Sequence, residues 1–126
     1  MKPLTGIIIL LVLMVAFSTG IYYQNINISN DFIKALNNLQ EAIENEDWDQ
    51  ASYRVEELMD CWDRADTWWT PLMDHQEIDM LNLAVIRVSK LAQMEKREES
   101  LIEIATARTM VENIQELQQP VLKNIF

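Results

Sequence analysis

From Leu4 to Tyr23 the chain reads LTGIIILLVLMVAFSTGIYY, 20 residues without a charge. On a helix that rises about 1.5 Å per residue, this run covers about 30 Å, the hydrocarbon thickness of a bilayer. No other stretch restricts the fold so strongly. A helix that is apolar on every side has no face to turn to water. Lys2 and the terminal amine supply a positive flank that stays in the cytoplasm, which sends the rest of the chain outward. Tyr22 and Tyr23 fall where amphipathic rings favour the headgroup boundary.

Residues 1–23 therefore read as an uncleaved single-pass anchor in the cell membrane, in lipid through residues 4–23, with the C-terminal part outside. The alternative is a cleaved signal peptide. Its apolar region would be Gly6–Ala16, with small residues for cleavage at Ala16-Phe17-Ser18 or Ser18-Thr19-Gly20, and the product would be secreted. The apolar stretch resumes at Ile21-Tyr22-Tyr23, which a cleaved peptide does not need. Lipoprotein processing is excluded, because the single cysteine, Cys61, is far from this segment.

Charge divides the chain in two. After Lys2 the next charged residue is Asp31, and all 20 acidic residues lie from there to Glu116. The formal net charge of −10 repels phosphate backbones, so no nucleic-acid partner is expected. Two glycines and three prolines are too few for the tight turns of a sandwich or barrel. One cysteine excludes an internal disulfide framework, and one cysteine with one histidine excludes the common structural zinc sites.

Beyond the anchor, residues 24–30 (QNINISN) read as a polar connector, with Ser29 or Asn30 capping the next helix. Residues 31–119 then carry helical periodicity throughout. Phe32, Leu36, Leu39 and Ile43 make a single stripe. Asn45-Glu46-Asp47 is a turn, with Asp47 as cap of a second helix. That helix holds the clearest pattern in the chain, Trp48, Ala51, Val55, Leu58, Trp62, Ala65 and Trp69 at alternating spacings of 3 and 4. Thr70-Pro71 ends it. Asp74, followed by Glu77, opens a third helix with a capping-box-like start and a stripe of Ile78, Leu81, Val85, Val88 and Ala92, widened by Ala84 and Leu91. The phase shifts near Lys96-Arg97-Glu98. A fourth helix follows with Leu101, Ile104, Val111, Ile114 and Leu117, closed by Pro120, which leaves 120–126 as a tail. Short connections make sequential helices antiparallel. The expected fold is all-α: a transmembrane helix followed by an antiparallel four-helix bundle or two helical hairpins. Asn45–Leu58 has the look of a tetratricopeptide hairpin, but residues 74–118 do not repeat it, so it reads as a generic helical hairpin.

Candidate chemistry is sparse. His75 and Asp79 share a helix face one turn apart, a spacing a divalent metal can use, with Asp74 nearby. No second histidine exists to complete the site, so capping and solvation explain these residues better and no cofactor is expected. Trp62 and Trp69 belong to the seam and read as core. Trp68 falls off the seam, which makes it the candidate for an exposed contact with a protein partner. Cys61, beside the seam, reads as a small buried apolar residue. No glycine-rich phosphate loop, GxSxG elbow or HExxH occurs, and no enzyme is expected. The residues favour a membrane-tethered interaction or structural module; the alternative is a ligand- or metal-binding sensor domain.

The anchor, Trp48-Asp49-Gln50-Ala51 at a helix start, the later indoles Trp62, Trp68 and Trp69, and His75-x-Glu77-Ile78-Asp79 at the next helix start together resemble the domain-of-unknown-function family 4363. Those are small membrane-anchored proteins of Gram-positive, often spore-forming bacteria. The resemblance covers nearly the whole chain. It implies a single-pass or exported helical protein with no established activity and no catalytic residues. It also implies that the His75–Asp79 stretch is a family signature, serving packing against Trp69 rather than catalysis.

Overall fold

The apolar run does not stop where the polar residues begin. In the computed structural model, which describes the backbone of residues 2–125 and the side chains of residues 2–116, one helix continues from Lys2 to Glu44. This helix, α1, is 43 residues and thus about 65 Å long. It is followed by α2 (Trp48–Trp69), α3 (His75–Gln93) and α4 (Arg97–Ile125). No strand occurs among the described residues. Each helix packs on the next, and α4 returns to pack on α1. The second half of α1 with α2, α3 and α4 therefore forms an antiparallel four-helix bundle closed into a ring.

The connector expected at 24–30 is a correction: it is helical, and neither Ser29 nor Asn30 is a cap. The reason is burial. Extending the Phe32 stripe backwards reaches Ile28 and Asn25, and Asn25, Ile28 and Ser29 all face the bundle. Packing on one face carries the helix through residues whose own propensity is modest. Before Ile21 every described side chain is exposed, so the apolar half of α1 projects from the bundle without a neighbour.

The stripes form the core as spaced. Phe32, Leu36, Leu39 and Ile43 of α1 are fully buried, as are Leu58, Ala65 and Trp69 of α2 and Val85 and Val88 of α3. From α4, Ile104, Ala107, Val111 and Ile114 are buried, while the Leu117 side chain lies outside those described. Large and small residues interlock along α2. Phe32 sits between two indoles, its ring centroid 6.2 Å from Trp62 and 6.4 Å from Trp69, opposite the gap that Ala65 leaves.

Two of the three turns share one device. After α1, the Asp47 N–H donates to the Ala42 carbonyl (3.0 Å) and the Glu46 N–H to Ile43 (3.0 Å). After α3, Lys96 donates to Leu91 (3.0 Å) and Glu95 to Ala92 (3.1 Å). Both are Schellman closures, with Glu46 (φ 54°) and Glu95 (φ 56°) in the left-handed region that favours glycine. Asp47 then caps α2 by accepting from the Gln50 N–H (3.2 Å), and Asp74 caps α3 by accepting from Gln76 (3.1 Å). The helix end expected at Pro120 is a second correction, because α4 runs on to Ile125. A proline removes one backbone hydrogen bond and crowds the preceding turn; good helix formers on both sides, such as Leu117, Gln118, Leu122 and Lys123, offset that cost.

Candidate functional site

The side chains that break the rules of a plain bundle gather at the end nearest the apolar segment. Antiparallel register brings them together. Phe32 touches both Trp62 and Trp69, so the end of α2 lies beside α1 a turn before Phe32, near Ser29. Asn25 is one turn further along α1.

Three buried polar atoms at this level have no hydrogen-bond partner among the described residues: Asn25 Oδ1, Ser29 Oγ and Trp69 Nε1. Each such group costs about 1–3 kcal/mol of desolvation. The rest of the core is apolar except for Ser100, whose hydroxyl donates to the Lys96 carbonyl.

Outside this layer, Trp68 lines a small cleft with Gln24, Asn27, Ile28 and Asp31 of α1 and with Cys61 and Arg64 of its own helix. Residues 61, 64 and 68 form a second stripe beside the buried seam. This places Trp68 where the sequence put it, off the core, with 43% of its surface exposed. Cys61 departs from expectation: it is half-buried on the flank of the seam, and its sulfur accepts from Arg64 Nη2 at 3.3 Å. One step further along the same α1–α2 face, Arg54 donates to Glu57 (2.8 Å), and that hydrogen bond is the main cause raising the guanidinium pKa above its ordinary value.

The loop after α2 is pinned. Thr70 Oγ1 donates to Asp66 Oδ1 (2.7 Å), and the Leu72 and Met73 N–H groups both donate to the Trp69 carbonyl (3.0 and 2.9 Å). Leu72 is thereby held out in solvent, 55% exposed.

His75 and Asp79 are both exposed on the first turns of α3, and of that stretch Ile78 is the one that enters the core. Among the described residues, no three His, Cys, Asp or Glu side chains come together in a way that would hold a metal ion. Asn25 and Leu72 were not singled out from the sequence, and Ser29 was read only as a helix cap. For Asn25 a signal existed: its spacing of 3 to Ile28 and then 4 to Phe32 continues the α1 stripe.

Comparison with known proteins adds a family. No curated protein and no solved structure matches the chain. A family model described as Domain of unknown function (DUF4363) matches residues 20–125, which takes in the bundle and starts past most of the apolar run. With the whole helical body inside that span, the chain belongs to the DUF4363 family.

Proposed function

We propose that this protein is a membrane-tethered helical module, held in the cell membrane by the apolar half of α1 and presenting its acidic bundle on the outer face as a structural or protein-interaction element. The observation that carries the reading is the continuity of α1. The run Leu4–Val15 is exposed on every side, and the same helix enters the bundle without a break. A cleaved segment has no need of such a rigid junction. The positive charge of Lys2 beside the run supports a cytoplasmic position for that end.

A surface for a protein partner lies on α3. Met80, Leu83 and Ile86 are exposed at successive spacings of 3, which puts them on one side of the helix. No catalytic role is assigned, and the exposed His75–Asp79 pair is read as helix-start chemistry.

Cell fractionation with protease treatment of intact protoplasts tests the reading. The expected result is full-length protein in the membrane fraction, with the bundle digested from outside. Full-length protein in the soluble cytoplasmic fraction, or a bundle protected in intact protoplasts, would contradict it. A photo-crosslinking residue at Leu83 is then expected to capture one discrete protein band in living cells, and the same residue at exposed Glu112 of α4 is expected to capture none.

A further inference from the structure

Given the anchoring proposed above, on which this rests, the start of the bundle lies against the bilayer. Tyr23 is 61% exposed at the end of the apolar run, and the first buried bundle residue, Asn25, follows two positions later, about 3 Å along the axis. Trp68 shares its cleft with Gln24, the residue directly after Tyr23, and with Asn27. The indole therefore sits within about one helical turn of the tyrosines. Leu72 extends from the pinned loop that follows Trp69.

We infer that Trp68 and Leu72, with Tyr23, form a second contact with the membrane, seated at the boundary between acyl chains and headgroups of the same bilayer that holds α1. An indole suits that boundary because its ring is apolar and its N–H is polar. Arg64 and Asp31 share the Trp68 cleft and Asp66, Asp74 and Glu77 lie in the same region of the chain, so acidic groups outnumber the one arginine and the contact works by insertion of apolar side chains and not by attraction to anionic lipids. The bundle is thereby fixed at two points, the α1 helix and the α2–α3 loop, which sets its tilt and directs the α3 face with Leu83 away from α1.

The test uses the full chain in phosphatidylcholine bilayers, some brominated high on the acyl chain and some near the chain ends. Trp68 emission is taken as the difference between Trp48→Phe and Trp48→Phe/Trp68→Phe proteins. A Val12→Trp reporter in the latter background reads the anchor. The expected result is that Trp68 loses roughly half or more of its emission to the shallow bromines and is shielded from aqueous iodide. Val12→Trp is expected to be quenched by the deep ones. Quenching at position 12 with Trp68 unquenched and open to iodide would overturn the lipid contact and leave the anchor standing. Trp68 shielded from iodide yet untouched by bromine would overturn it in favour of a protein cover. No quenching at position 12 would remove the anchor itself, and the inference with it.

Discussion

Ser29 shows how a single residue can sit inside a helical core at a cost in stability. Its side chain is fully buried and its hydroxyl lacks a partner among the described residues. Alanine removes the unsatisfied group and is also the better helix former. Ser29→Ala is therefore expected to stabilise the bundle by about 1 kcal/mol, read from the urea midpoint of the full chain in a lipid nanodisc. The left-handed positions make a parallel case. Glu95 adopts φ 56°, where a Cβ costs about 1 kcal/mol relative to glycine. Glu95→Gly should raise stability by about that amount in the same assay, whereas the exposed helical control Glu98→Gly should lower it by a similar amount. Such residue-scale features were half legible in the sequence. Asp47 and Asp74 announce themselves as caps by type and position, and both cap. Ser29 misleads because serine at a polar-to-apolar boundary is the usual mark of a helix start. What overrides it is tertiary burial, which local propensity does not record.

At the scale of elements, the stripes of α2 and α3 were readable because their spacings repeat over several turns, and all of their central residues are buried. Trp68 was placed off the core by the same arithmetic. The α1 boundary was not readable in this way, since a seven-residue stretch with five polar residues between two apolar patterns looks like a linker until the phase of Asn25 and Ile28 is followed into Phe32. Asn27 offers a direct test because its side chain is exposed. Asn27→Pro deletes one backbone hydrogen bond and crowds the carbonyl of Tyr23 without touching the core. A loss of about 3 kcal/mol in bundle stability is expected, with faster amide exchange confined to residues near the substitution. No change in exchange would mean that the helix is already broken there. The α1–α4 contact is more local. Arg108 reaches Asn37 Oδ1 from Nη2 (2.7 Å) and also donates to Gln40, while Gln115 donates to Asn30 (3.1 Å). Arg108→Ala is expected to cost about 1 kcal/mol, because these bonds are largely solvent-exposed.

At the scale of the whole molecule, the chain is a bundle built around one helix whose two halves differ sharply in composition. Its first half is apolar all round, and its second half is amphipathic, with its apolar side shared between α2 and α4. Composition made the all-α fold and the split in charge plain, because glycine, proline and charge counts act on the entire chain at once. Which helices close the ring, and at what height each indole sits relative to the tyrosines, depends on long-range register that no local pattern contains. The most direct test of the central claim, that one unbroken helix links the apolar segment to the bundle, is an electron-spin distance between labels at Val12→Cys and Glu41→Cys in a Cys61→Ser background, in bilayers. A continuous α1 gives a narrow distribution centred near about 44 Å. A broad distribution, or a centre below about 35 Å, would show a break between the two halves and contradict it.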